Sequence, residues 1–253
     1  MTETNIHRAE LIERIDFSTD LSVFKFRLDF PLKFRPGQFV NVGIEEDGTL
    51  IERPYSIVSS PYEPFLELFI ELVPHGGLTP RLWDLNVGNS VLVKDRVAGN
   101  FTLREKSEMT RHLMAATVTG IAPYISMVRT QRIEMSQGKE SPHQFLIVHG
   151  ASYSSEFGVY KDELTEIARD GWLTYVPTVS RPWEDTEWKG ERGRIEDVIR
   201  KHGDQLCFDD TNSVAYACGH PQMIENVKGV LTRAGFPRER IRKEKYFELT
   251  KQE

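Results

Sequence analysis

The hydrophobic period of this chain changes once, near residue 105, and that change limits it to two architectures joined end to end. Before it, apolar residues recur at every second position. Phe24, Phe26 and Leu28 alternate with Lys25 and Arg27, and Leu66, Leu68, Ile70 and Leu72 alternate with Glu67, Phe69 and Glu71. A period of two marks strands with one buried face. Polar turns at Arg35-Pro36-Gly37-Gln38 and at Gly48 separate further strands at 39–42, at 56–59 and at 90–93. Half a dozen short strands at this spacing predict a six-stranded antiparallel β-barrel over residues 1–105. Beyond it, apolar runs at 113–117, 145–149, 173–179, 214–218 and 241–247 alternate with helical stretches at 123–135, 161–169, 195–201 and 221–234. That alternation predicts an α/β doubly wound parallel sheet over residues 106–253, buried on both faces. Ligands of such sheets sit beyond the carboxyl ends of the strands.

Composition narrows the class. With 39% hydrophobic and 28% charged residues, the 253-residue chain is that of an ordinary globular protein, and its length fits two medium domains. No run approaches the eighteen apolar residues of a membrane span, and the N-terminus lacks the apolar core of a secretory signal. The chain therefore reads as cytoplasmic and not membrane-bound, and a monomer is expected. Two cysteines, Cys207 and Cys218, exclude a disulfide scaffold and a four-cysteine iron–sulfur site, and the histidines show no zinc spacing, so no metal is expected. A net charge of −6 argues against nucleic acid as a partner. The mixed run at 238–245 could dock an acidic protein or be a solvated strand edge.

Within the first part, Arg53-Pro54-Tyr55-Ser56 places an arginine and a tyrosine on one side of a strand and a serine on the other. A guanidinium can grip phosphate oxygens bidentately, a flat aromatic can cover one face of a ring system, and a small hydroxyl can stand near a reactive nitrogen. Those are the requirements of a flavin dinucleotide, although an edge strand with an exposed arginine would read the same way. His75-Gly76-Gly77-Leu78-Thr79-Pro80 opens a short helix, with Thr79 as cap and Pro80 at the first helical position, and is a candidate anion site. In the second part the strand ends matter. Thr117-Val118-Thr119-Gly120 runs directly into a helix and offers hydroxyls and amides to a phosphate. Ser180, Arg181 and Arg194 could hold a ribose 2′-phosphate, or be surface polar residues. Cys218-Gly219-His220-Pro221-Gln222-Met223 puts a cysteine where a nicotinamide would have to lie, with His220 as a turn residue.

The order of these pieces resembles the ferredoxin–NADP⁺ reductase family, the bacterial ferredoxin (flavodoxin) reductases most of all, over about residues 23–247. The resemblance implies a barrel that binds FAD and an α/β domain that binds NADP(H). By position it gives Arg53, Pro54, Tyr55, Ser56 and Phe69 to the flavin and its pyrophosphate. Gly77, Leu78 and Thr79 match the pyrophosphate loop, and Thr119 the point where the two cofactors meet. Tyr246 and Phe247 match the terminal aromatics that lie against the flavin. It gives Thr117, Gly120, Ser180, Arg181, Arg194, Cys218, Gly219, Pro221 and Met223 to NADP, and makes Ser56, Cys218 and Glu244 the catalytic candidates. Three departures stand out. Val118 occupies a position where the family usually has glycine, and a β-branched residue resists positive φ. Ser152 stands where similar reductases often carry an arginine for the 2′-phosphate. Residues 248–253 run past the terminal aromatic.

The expected activity is hydride exchange with NADP(H) and single-electron exchange with ferredoxin or flavodoxin. A reductase feeding a separate oxygenase or reducing free flavin is the second reading, and a non-catalytic flavin- or nucleotide-binding module the third.

Overall fold

The computed structural model describes residues 4–103 and 109–245. It forms two compact units, Met1–Leu103 with Ala122–Gln137, and Arg104–Ile121 with Gly138–Glu253. The antiparallel barrel and the parallel sheet expected from the two periods are both present.

The first unit contains β1 (Ile6–Asp16), β2 (Leu21–Leu28), β3 (Phe39–Glu46), β4 (Thr49–Ser56), β5 (Phe65–Glu71), the short α1 (Thr79–Trp83) and β6 (Ser90–Lys94). Its sheet runs β4-β3-β6-β1-β2-β5, with neighbouring strands antiparallel among the described residues. The alternating residues Phe24, Phe26, Val40, Val42, Leu66, Leu68 and Ile70 fill the interior together with Leu82 of α1. Each such burial stabilises by about 1.5–3 kcal/mol. The two outer strands are brought together past the end of β4. Ile57 N–H donates to Gln38 O at 3.0 Å, and the next amide, Val58, donates to Glu67 O of β5 at 2.9 Å.

Two expectations change here. Arg53 to Ser56 close a strand that begins at Thr49, and do not lead into one at 56–59. The face of β5 carrying Glu67 and Phe69 is not solvated: these residues are 1% and 5% exposed. For Glu67 the reason is α2 (Ala122–Ser136), which groups with the barrel. Its Ser126 donates to Ser59 O at 2.7 Å, and its Arg129 grips both carboxylate oxygens of Glu67 at 3.0 and 3.2 Å. β1 went unread in the sequence.

The second unit carries β7 (Arg111–Thr117), β8 (Gln144–Ala151), α3 (Tyr160–Ile167), β9 (Leu173–Val179), β10 (Glu191–Arg192), α4 (Ile195–Gln205), β11 (Ser213–Gly219), α5 (Pro221–Arg233) and β12 (Ile241–Lys245). The sheet is parallel throughout, in the order β10-β9-β8-β7-β11-β12. Every residue of β11 is buried, as both-face coverage requires. One face packs Leu113, Ala115, Leu146, Val148, Ala215 and Ala217 against Val198 and Ile199 of α4 and Ile224 and Val227 of α5. Because β7 lies between β8 and β11, the strand order reverses there, and the carboxyl ends of β7 and β11 stand side by side. Such a switch point is where open α/β sheets leave a crevice. Among the described residues, no helix is long and apolar enough to cross a membrane.

Candidate functional site

On the barrel, the β3–β4 register sets Arg53 beside Val42, Tyr55 beside Val40 and Ser56 beside Phe39. Cross-strand partners share a face, so Arg53 and Tyr55 lie on one side and Ser56 on the other. Tyr55 packs against the barrel core while Arg53 is exposed, and Ser56 is 7% exposed. Burial pushes the Tyr55 phenol well above its ordinary pKa, with Arg53 pulling it partly back, so it stays a neutral hydrogen-bond donor.

The loop before α1 reaches the same place. A Cβ built on Gly77 would lie 3.8 Å from Nη2 of Arg53 and 3.5 Å from Ile51 Cγ2. Two segments distant in sequence therefore meet, and a guanidinium stands over a backbone without a side chain, which fits a pyrophosphate. Thr79 is not the helix cap. Leu78 holds that position, and the Thr79 hydroxyl instead accepts from Val73 N at 2.9 Å and donates to Val73 O at 3.1 Å, bracing the loop. Arg81 adds a second brace, donating to Gly77 O at 2.5 Å. Phe69 is buried, edge-on to Phe17 with ring centroids 6.0 Å apart.

At the switch point of the parallel sheet, two strand-end loops interlock. A Cβ on Gly120 would sit 2.4 Å from the carbonyl oxygen of Cys218, and one on Gly219 would sit 2.2 Å from Thr117 Oγ1. Gly219 also has φ +121°, a conformation closed to side-chain-bearing residues. The Thr117 hydroxyl accepts the His220 amide at 2.8 Å. His220 does more than turn the chain: its Nδ1 accepts the Gln222 amide at 3.1 Å and caps α5, with Pro221 in the first turn. Met223 is buried in the sheet–helix core. Cys218 is fully buried and pairs in register with Glu244 on β12 and with Ala116 on β7. Two of the three catalytic candidates are thus neighbours across adjacent strands. Tyr246, Phe247 and residues 248–253 lie outside the described residues.

Val118 takes φ +41°, the left-handed region its sequence position called for and its β-branched side chain resists. For such a residue the cost is about 1–3 kcal/mol. Its side chain is packed with Ala151, Phe157, Val179 and Trp188. Its carbonyl oxygen lies 2.9 Å from Nε2 of His149, whose Nδ1 lies 3.0 Å from the Tyr175 hydroxyl. Burial lowers the His149 pKa to about 4, opposed by its bond to Val118, so the ring is neutral.

The residues expected at a 2′-phosphate are gathered by β10, a strand too short to read from sequence. Arg192 pairs with Val179, and Gly193 donates to Val179 O at 3.0 Å, which sets Arg194 next to the turn carrying Ser180 and Arg181. The amides of Ser180 and Arg181 bond Ala151 O and Ser152 O at 2.9 and 3.2 Å. Tyr153 was missed. Its hydroxyl accepts from Arg181 at 3.1 Å and donates to Glu184 at 2.6 Å, so it orients the arginine. An aromatic just past a strand's carboxyl end was the available signal.

Comparison with known proteins agrees with both halves. Residues 8–101 match the oxidoreductase FAD-binding domain, and residues 114–229 the oxidoreductase NAD-binding domain. The flavodoxin/ferredoxin–NADP reductase of Escherichia coli is 32% identical over 205 residues, 78% of each chain. The ferredoxin–NADP reductase of Pseudomonas aeruginosa is 29% identical over 250 residues, covering 92% of this chain and 91% of its own. A solved ferredoxin NADP⁺ reductase from Neisseria gonorrhoeae with bound FAD and NADP superposes with a TM-score of 0.84 at 21% identity, covering 97% of this chain and 100% of that one. An FAD-binding barrel followed by an NAD-binding parallel sheet defines a flavin-dependent oxidoreductase. Within that class, the chain belongs to the ferredoxin (flavodoxin)–NADP reductase family.

Proposed function

We propose that the protein exchanges a hydride with NADP(H) and single electrons with a ferredoxin or flavodoxin, with FAD held on the barrel. The observation that carries this reading is the interlock at the switch point, where Gly120 lies against Cys218 and Gly219 against Thr117. It leaves backbone and a hydroxyl, with the buried Cys218 directly behind them, at the carboxyl edge where a nicotinamide dinucleotide binds in such sheets. Bound FAD supplies the conversion between two-electron and one-electron transfer.

The protein's own residues bind and orient. Arg53 and the Gly77–Thr79 backbone take the flavin pyrophosphate, Tyr55 covers a ring face, and the Ser56 hydroxyl stands near the reactive nitrogen. Thr117, Thr119 and Gly120 take the nucleotide's pyrophosphate side. Cys218 packs the nicotinamide, and Glu244, in register with it, polarises the site or holds a proton. Pro221 and Met223 fix the start of α5 that bears on the same loop. Ser180, Arg181 and Arg194 take the 2′-phosphate, two guanidiniums serving where an arginine at Ser152 is lacking.

The test is kcat/KM for NADPH and for NADH, each with and without added ferredoxin. NADPH is expected to be preferred by about tenfold or more, the equivalent of one charge-assisted phosphate contact of about 1.5–3 kcal/mol. Ferredoxin is expected to be reduced. Equal use of both nucleotides with transfer only to free flavin would replace this reading by the free-flavin or oxygenase-feeding one.

A further inference from the structure

The βα loop at 117–121 contains a backbone that its own residue opposes, and something must hold it. Val118 sits at φ +41° although it is β-branched. Its carbonyl is an acceptor only, so the His149 Nε2 at 2.9 Å must carry the hydrogen. A neutral ring with Nε2–H leaves Nδ1 as acceptor, and the Tyr175 hydroxyl at 3.0 Å is then the donor. The tautomer follows from the network, with no freedom left in it. His149 is fully buried and its ring stands 4.9 Å from Phe157, at 61°. The same Phe157 belongs to the cluster against which the Val118 side chain packs. Both ends of the Val118 residue, side chain and carbonyl, are therefore pinned from β8 and β9.

We infer that His149, oriented by Tyr175, is a positioning residue for nucleotide binding, which holds the Val118 peptide in the left-handed turn that a glycine would adopt unaided. The trans peptide is planar, so fixing the Val118 carbonyl toward His149 fixes the Thr119 amide plane in the opposite sense. The inference rests on reading residues 117–121 as the nucleotide loop, and adds to it what keeps the loop in shape. Neither histidine nor tyrosine touches the nucleotide; both act through Val118.

The test is a double-mutant cycle on the FAD-loaded protein, with NADP⁺ affinity measured by calorimetric titration. His149→Leu, which cannot donate, is expected to weaken NADP⁺ about tenfold, the equivalent of one lost buried hydrogen bond, while kcat at saturating NADPH stays within about twofold. His149→Gln keeps an N–H that can reach the same carbonyl, and is expected within about threefold of the native affinity. In a Val118→Gly background the anchor is unnecessary, so adding His149→Leu should change affinity by less than about threefold. Native affinity in His149→Leu, or a full tenfold loss on the glycine background, would overturn the inference. Should His149→Leu fail to fold, Tyr175→Phe takes its place, expected to lose about threefold in native sequence and nothing in Val118→Gly; equal losses overturn it. Should the native protein bind neither NADP⁺ nor NAD⁺, the functional reading fails by itself. The anchor is then read from urea midpoints, where the drop caused by His149→Leu must shrink in Val118→Gly, and an equal drop refutes it.

Discussion

Gly219→Ala is expected to abolish useful nucleotide binding and to cost about 2–4 kcal/mol of stability. Two effects combine. The backbone at φ +121° excludes side chains, at about 1–3 kcal/mol. The new Cβ would lie 2.2 Å from Thr117 Oγ1 and about as near the Thr117 backbone as atoms can come, at 3.0 and 3.1 Å. The hydroxyl must then move, and the 2.8 Å bond it accepts from His220 is lost, a further ~1 kcal/mol. Since that bond ties the β11–α5 loop to the end of β7, Cys218 and Pro221 move with it. A weakening of NADP⁺ by about a hundredfold corresponds to losing ~3 kcal/mol at the site. Urea unfolding and calorimetric titration measure the two quantities. Gly229→Ala provides the opposite sign. Gly229 lies within α5 and its Cβ would make only an ordinary 3.5 Å contact with Arg233, so the substitution should stabilise by about 0.5–1 kcal/mol. Native stability and affinity in Gly219→Ala would mean that the two loops are not interlocked.

Arg129→Met is expected to destabilise the barrel unit by about 3–5 kcal/mol. Glu67 is 1% exposed, and the bidentate grip of Arg129 at 3.0 and 3.2 Å is what α2 supplies to it. Removing the guanidinium takes a bidentate cationic partner from a carboxylate beneath a helix, with Glu63, 3.6 Å from the same guanidinium, as a second negative neighbour. Replacing both partners, Arg129→Met with Glu67→Leu, removes the buried carboxylate together with its cation and should recover most of the loss. Urea titration of the two singles and the double separates these cases. A single variant within 1 kcal/mol of the native protein would show that water reaches Glu67 and that α2 does not seal this face.

Most of the architecture was legible in the two hydrophobic periods, because burial on one face and burial on both faces leave different patterns. What was not legible had particular causes. β1 was missed because a register shift between Leu11 and Glu13 breaks the alternation, and because Ala9 to Arg14 is rich in helix formers. β10 is only two residues long, yet it carries Arg194 to Ser180. Glu67 was read as outward because the helix that covers it comes from more than fifty residues later in the sequence. Thr79 looked like a cap by type and position, but its hydroxyl found both backbone groups of Val73. The motifs singled out Arg53, Gly77, Cys218 and Glu244 as candidates, while only the fold sets Arg53 beside Gly77 and Cys218 beside Glu244. Val118 was recognisable as a departure, and it takes a positive φ despite its β-branched side chain. His149 and Tyr175 were invisible as its support, since a histidine and a tyrosine inside buried strands carry no local signal.

The most direct measurement is the visible spectrum of the purified protein, reconstituted with FAD and titrated with NADPH in the absence of oxygen. A yellow protein whose flavin bands bleach as NADPH is added, one reducing equivalent pair per chain, is the expected result. A protein that stays colourless after exposure to FAD, or one whose bands persist with NADPH and NADH alike, would contradict the assignment of hydride exchange to this chain.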